Sequence, residues 1–181
     1  MKITETAIAD VLILEPGIFC DARGFFSETF NQRDFNAATG TNFKFVQDNH
    51  SRSKKSVLRG LHYQVGQPQG KLVRVVRGSI FDVVVDIRQT SATFGQWVGL
   101  EMNEHDLRQL WVPPGFAHGF LVLSDSADCY YKTTDYYCPA QEHCIAWNDS
   151  QIGIDWRLDG PPLLSVRDAR GLSLRDAQLI A

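Results

Sequence analysis

Five histidines, His50, His62, His105, His118 and His143, are the side chains here best suited to take up a proton near neutral pH. His62 stands within Ser56-Val57-Leu58-Arg59-Gly60-Leu61-His62-Tyr63-Gln64, with Arg59, Lys71, Arg74 and Arg77 close by in sequence. An imidazole there is either an acid or base or a core group held by hydrogen bonds, and spacing leaves both readings open. The surrounding cations suit a phosphate-bearing ligand, since a guanidinium grips two phosphate oxygens at once. Salt bridges to Asp82 and Asp86 across a sheet face are the alternative. Tyr130, Tyr131, Tyr136 and Tyr137 flank Lys132-Thr133-Thr134-Asp135. Strand alternation turns one of each pair inward, where a phenol donates a proton or stacks on a base, although β packing alone also favours aromatics. Asp168 follows Ser165 by three residues and either orients an imidazole or caps a helix; by itself the sequence favours the cap.

Three apolar, β-branched runs must position these groups. They are Ser56–Gln64, Gly70–Gly78 and Ser79–Ile87, separated by turns containing glycine, and they read as an antiparallel meander. Period two puts Phe81, Val83, Val85 and Ile87 on one face of the third run and Ile80, Asp82, Val84 and Asp86 on the other. In the first run it groups Val57, Arg59, Leu61 and Tyr63 against Leu58, Gly60 and His62. A sheet curled around charged residues set among apolar ones makes a polar pocket in a greasy cup, the usual form of a small-molecule site.

The rest of the chain supplies further strands. Ala7–Glu15, Phe25–Phe30, Phe43–Asn49, Thr93–Met102, Leu110–Val112, Ala117–Leu123 and Ala127–Tyr137 read as extended, punctuated by Pro16-Gly17 and Pro113-Pro114-Gly115. Asp34–Thr39 is a short helix with Asp34 as N-cap and Gly40 as stop. Ser51–Ser56 reads as a solvated basic loop. Ser165 to Asp168 and Ser173 to Asp176 form capping boxes for short C-terminal helices. Many short strands with little helix predict an all-β jelly-roll sandwich, one domain over residues 1–181.

Composition narrows the function. A net charge of −3 gives no basic face for nucleic acid. Residues 1–10 lack a signal pattern, and no apolar run approaches the roughly 20 residues of a membrane helix, so a cytoplasmic address is expected. Cys20, Cys129, Cys138 and Cys144 lack CxxC pairing and read as reduced structural thiols. A jelly roll with histidines suggests a metal cupin, but Tyr63 and Gln64 follow His62 where a His-x-His pair would stand. His118 alone is too little for a metal centre, so none is expected.

Six ordered motifs then carry a resemblance. They are Arg23-Gly24-Phe25-Phe26-Ser27-Glu28, Phe45-Val46-Gln47-Asp48-Asn49-His50-Ser51, Leu58-Arg59-Gly60-Leu61-His62-Tyr63-Gln64, Gln69-Gly70-Lys71-Leu72-Val73, Trp111-Val112-Pro113-Pro114-Gly115-Phe116-Ala117-His118-Gly119-Phe120 and Tyr131-Lys132-Thr133-Thr134-Asp135-Tyr136-Tyr137. Together with Asp168 they resemble the dTDP-4-dehydrorhamnose 3,5-epimerase family over nearly the whole chain. The resemblance implies a cupin-like jelly roll working without metal or cofactor, as a homodimer that exchanges N-terminal strands. It implies inversion of C3 and C5 of dTDP-4-dehydro-6-deoxy-glucose, in a pathway feeding cell-surface polysaccharide. By motif match, His62 is the base, Asp168 its partner, Tyr131 the acid on the opposite sugar face, and Lys71 the cation beside O4. Arg23, Glu28, Gln47, Asp48, Asn49, Arg59, His118, Glu142 and Arg167 line the nucleotide-sugar site, and Tyr137 stacks on thymine.

Two positions depart from the family pattern. Arg167 stands where Lys is common, and the turn Gly66-Gln67-Pro68-Gln69 is a residue shorter than in some relatives. Epimerases that invert only C3 or only C5 of other dTDP-sugars share the same constellation and form the nearest rival reading. A sugar-nucleotide-binding cupin without activity and a metal-dependent cupin are the rivals from other classes.

Overall fold

The computed structural model describes residues 1–180. Two antiparallel sheets face each other. The first is built, in spatial order, from β1 (Lys2–Glu5), β2 (Leu12–Glu15), β10 (Gln109–Val112), β7 (Lys71–Arg77), β12 (Ser126–Thr133) and β5 (Gln47–Lys54). The second runs β13 (Glu142–Cys144), β6 (Leu58–Gln64), β11 (Phe116–Val122), β8 (Ser79–Asp86) and β9 (Trp97–Asn103). A separate hairpin pairs β3 (Phe19–Asp21) with β4 (Gly24–Phe26). This is the expected all-β jelly roll, with one helix, α1 (Gln32–Thr39), outside it. Among the described residues, no helix is long and apolar enough to cross a membrane.

The expected meander is wrong in its pairing. The strands β6, β7 and β8 exist close to their expected bounds, but β7 belongs to the other sheet and pairs with β10 and β12. β6 and β8 both pair with β11, which arrives later in the chain. A glycine turn between two strands signals a reversal but does not say whether the chain stays in its sheet. The turn at Gly78 carries the chain from one sheet to the other.

Each sheet face has its own packing. Ile80, Val84, Phe116 and Phe120 of the second sheet meet Val75, Leu110, Val112 and Cys129 of the first, and this is the inter-sheet core. Leu61, Tyr63, Phe81, Val83, Val85 and Ile87 face the other way and are covered by Ile145, Ile152, Trp156 and Leu174 of the C-terminal segment. The parity expected for β8 therefore holds. Helix α1 inserts Phe35 against Trp111 on the outside of the first sheet, ring centroids 5.1 Å apart.

Several local expectations shift for identifiable reasons. Ala7–Val11 is a turn, closed by the Val11 amide donating to the Ile8 carbonyl at 2.9 Å, with the Ile8 amide donating to the Thr6 hydroxyl oxygen at 3.2 Å. The unforeseen strand β1 precedes it. The helix is capped by Asn31, which accepts from the amides of Arg33 and Asp34, not by Asp34 itself. Gly40 ends it at φ 67°, as expected. Ser51–Lys54 continues β5 opposite β12, so the expected basic loop is strand. Of the two C-terminal capping boxes, the first yields a three-residue 3-10 turn over Asp168–Arg170 and the second only a turn.

Candidate active site

A cavity of about 360 Å³ opens between the two sheets. Gln47, Asn49, Lys71, Val73 and Tyr131 contribute from the first sheet; Arg59, His62, Gln64 and His118 contribute from the second. The imidazole of His62 and the phenol of Tyr131 thus approach one space from facing sheets. Strict alternation would have put Arg59 and His62 on opposite faces. A register shift between β6 and β11 sets His118 opposite His62 and Phe120 opposite Arg59, so β6 carries one extra residue. Gly60 lies within it at φ 118°, where a Cβ would come 2.6 Å from the Cα of Gly119. That irregularity turns Arg59 inward alongside His62.

Asp168 is both things the sequence offered. Its amide takes the Ser165 hydroxyl as acceptor at 3.1 Å, while one carboxylate oxygen sits 2.6 Å from His62 Nε2. Ser165 Oγ donates to the other oxygen at 2.6 Å, and the Gly60 amide donates to the first at 3.2 Å. Burial alone would raise the Asp168 pKa, but these donors outweigh it and hold the group at about 2. An ionised Asp168 can only accept, so neutral His62 carries its proton on Nε2 and keeps its lone pair on Nδ1.

A second carboxylate, Asp82, pairs with His118 and acts on Lys71 at longer range. His118 Nε2 lies 2.6 Å from Asp82 Oδ1, and Asp82 is fully buried. Lys71 donates to the backbone oxygen of His62 at 3.3 Å. Burial lowers the Lys71 pKa to about 8, with Asp82 opposing the shift. Tyr131 moves the other way: burial raises its pKa, partly offset by nearby Arg59, so the phenol keeps its proton at neutral pH. The cavity therefore holds a proton acceptor, a proton donor and an ammonium.

A cluster that joins two segments borders the cavity. Tyr137 Oη donates to Glu142 at 2.7 Å, Arg167 pairs with Glu142, and Arg167 Nη1 reaches Tyr137 Oη at 3.4 Å. Gln47 accepts from the Tyr137 amide at 3.0 Å and donates to Asn49 at 2.9 Å. Arg167 itself lines a neighbouring cleft and meets this cavity only through Tyr137 and Glu142; it is next in sequence to the partner of His62.

Some expected site residues do not converge here. Asp48 points to the outer face, bound to Lys132 at 2.8 Å and Tyr130 at 2.9 Å, because its neighbours Gln47 and Asn49 take the inward positions of β5. Arg23 lies on the β3–β4 hairpin, paired with Asp21 and 90% exposed; neither it nor Glu28 lines the cavity. Arg74 and Arg77 also leave the His62 neighbourhood, Arg74 stacking over the outward Tyr130 ring. Ser51, Ser53, Gln64 and Gln69 were missed. Ser53 accepts from Arg59 Nε at 3.0 Å, and reading residues 51–54 as strand would have turned both serines inward.

Among the described residues, one group of metal-binding side chains comes together: His62, Cys144 and Asp168, with donor atoms within 4.8 Å of one another.

The profile of a known family, described as dTDP-4-dehydrorhamnose 3,5-epimerase, matches residues 5–176. A Pseudomonas aeruginosa protein named dTDP-4-dehydrorhamnose 3,5-epimerase is 56% identical over 177 residues, 98% of each chain. The crystal structure of a Legionella pneumophila dTDP-6-deoxy-D-glucose-3,5-epimerase, in complex with dTDP-4-keto-L-rhamnose, superposes with a TM-score of 0.95. It is 51% identical and covers 98% of this chain and 94% of its own. The similarity extends, at 36% identity, to the 3′-monoepimerase ChmJ of Streptomyces bikiniensis, with a TM-score of 0.88 over 94% of this chain and 87% of its own. The matched span takes in both walls of the cavity and the segment bearing Asp168, and the chain belongs to the dTDP-4-dehydrorhamnose 3,5-epimerase family.

Proposed function

We propose that this protein inverts C3 and C5 of dTDP-4-dehydro-6-deoxy-α-D-glucose to give dTDP-4-dehydro-β-L-rhamnose, using side chains alone for the proton transfers. One observation carries the reading: His62 and Tyr131 project from facing sheets into one cavity beside Lys71. Both reacting hydrogens are α to the C4 ketone. His62 removes one, and the electrons move onto O4 as an enolate, where the Lys71 ammonium and the neighbouring His118 stabilise the charge. Tyr131 then delivers a proton to the opposite face of the same carbon, and solvent resets both groups. Asp168 stabilises the imidazolium formed at His62. Arg59 and the cluster of Tyr137, Glu142 and Arg167 are placed for the nucleotide diphosphate and base.

A homodimer fits the same reading. Phe19, Phe25 and Phe26 are exposed on the β3–β4 hairpin. A second copy would cover these rings, and Arg23 and Glu28 would then serve a neighbouring cavity. A soluble nucleotide-sugar substrate supports a cytoplasmic place of action.

Turnover in deuterated water tests the assignment. The product should carry deuterium at both C3 and C5. His62→Ala should abolish incorporation with the fold intact, and retained incorporation removes His62 as base. Tyr131→Phe should suppress inversion more than the first exchange. The similarity to a 3′-monoepimerase favours a single-site alternative; it predicts deuterium at one carbon only.

A further inference from the structure

Cys144 has no part in the proton transfers described above, yet it stands directly opposite His62 on the neighbouring strand β13. Its sulfur, one His62 ring nitrogen and one Asp168 oxygen all lie within 4.8 Å of one another. A thiolate, an imidazole and a carboxylate are the donors that a borderline-soft divalent ion selects, and three such ligands plus water complete a tetrahedral zinc sphere. From this convergence we infer that Cys144, His62 and Asp168 form a binding site for Zn²⁺ or a similar soft divalent cation, and that occupancy silences the enzyme.

The site has its own approach. Cys144 lines a cleft of about 300 Å³ with His143, Arg167 and Arg170, distinct from the sugar cavity that His62 lines. Tyr63 and Glu142 border both spaces. The thiol therefore lies on the seam between them, and an ion can reach it without crossing the sugar cavity. Metal–ligand bonds of roughly 2.0–2.3 Å put tetrahedral donors about 3.3–3.7 Å apart. The trio must close by about an ångström around the sulfur while the His62–Asp168 pair opens from 2.6 Å.

Proton accounting explains the inhibition. Burial raises the Cys144 thiol to about 12, so the metal-free protein keeps it protonated. Binding displaces the thiol proton to solvent. The ion also takes the Nε2 position that bears the His62 proton, and that proton reappears on Nδ1. Net release is one proton per ion, with no change of oxidation state. The lone pair that serves as base is lost in the tautomer change. Two anionic ligands balance the dication.

The inhibitory consequence rests on His62 being the base; binding does not. Purified protein is titrated with Zn²⁺ during turnover and, separately, with Co²⁺ as a spectroscopic probe. Wild type should lose activity, recover with chelator, and show a thiolate-to-cobalt charge-transfer band. Cys144→Ser should keep basal turnover, lose the band, and need at least about tenfold more Zn²⁺ for half inhibition, since even outer-shell losses weaken metal sites by that factor. Equal Zn²⁺ sensitivity in the two proteins, or a cobalt complex without the thiolate band, overturns the site. A Cys144-dependent band without inhibition upholds the site and instead overturns His62 as base.

Discussion

His62–Asp168 and His118–Asp82 are the same two groups at the same 2.6 Å separation, on imidazoles that are cross-strand neighbours. Their surroundings set them apart. The His62 side chain is 28% exposed and faces the cavity; His118 is 10% exposed and Asp82 is wholly enclosed. Asp168 reaches its histidine from the C-terminal segment and has further donors in Ser165 and Gly60. Asp82 rises from the sheet itself, and its second oxygen has no hydrogen-bond partner among the described residues, with the Lys71 charge near it. The first pair is supported by hydrogen bonds that persist whichever state the imidazole is in. The second sets an enclosed carboxylate against an imidazole, within electrostatic reach of Lys71. Like geometry therefore serves an imidazole that faces the cavity in one case and an enclosed pair beside Lys71 in the other.

The largest effect expected from this contrast is on turnover. Asp168→Asn keeps an oxygen for His62 Nε2 and the Gly60 amide but removes the charge that stabilises imidazolium. We expect kcat to fall about 100-fold, within the range for general-base catalysis, with a drop in Tm smaller than that of the Asp82 variant below. Asp82→Ala should show its larger loss in stability. It strands a buried imidazole and removes the counter-charge of Lys71, and breaking a buried pair costs about 3–5 kcal/mol. Thermal unfolding and steady-state kinetics on both variants decide the matter. Equal stability losses would show that the two pairs do not differ as their surroundings indicate.

A pH profile sharpens the role of Asp82 through Lys71. The folded pKa of about 8 lies below the usual lysine value because burial disfavours the ammonium. The charged form is present below that pH and is lost as pH rises through it. If Lys71 stabilises the enolate as proposed, kcat/KM in the free enzyme should fall above pH 8. Asp82→Asn removes the opposing charge and should move this alkaline limb to lower pH. An unmoved limb would separate Lys71 from Asp82.

The same contrast shows what residue order can and cannot carry. Strand parity grouped Asp82 with Ile80 and Val84 and turned one of Tyr130 and Tyr131 inward, and both groupings hold because these stretches are regular; which face is the inner one was not legible from alternation. Parity failed at Arg59, where the extra residue at Gly60 rotates the strand; it held at Asp48, whose expected place in the site came from the motif resemblance instead. The pairing of β6, β7 and β8 was illegible because hydrophobic alternation is the same whichever sheet a strand joins. The Ser165-x-x-Asp168 signature was legible as a cap, yet the contact to His62 spans 106 residues and depends on the C-terminal segment folding over the second sheet. Cys144 carried no signal at all, since its place beside His62 follows only from the β13–β6 pairing.

A third histidine–carboxylate pair provides the control. His50 Nε2 lies 3.6 Å from Asp128 on the outer face of β5 and β12, where Arg52 already grips that carboxylate through two bonds of 2.7 Å. The Arg52 hydrogen bonds hold the Asp128 pKa at about 2, so His50 is a minor partner there. This imidazole does not line the cavity between the sheets. His50→Gln should leave kcat, KM and the pH profile as in wild type and Tm essentially unmoved, because exposed substitutions away from special features change little. A loss of turnover in this variant would mean that function reaches the outer face of the first sheet. The division between inward and outward histidines, on which the comparison of the two cavity pairs rests, would then fail.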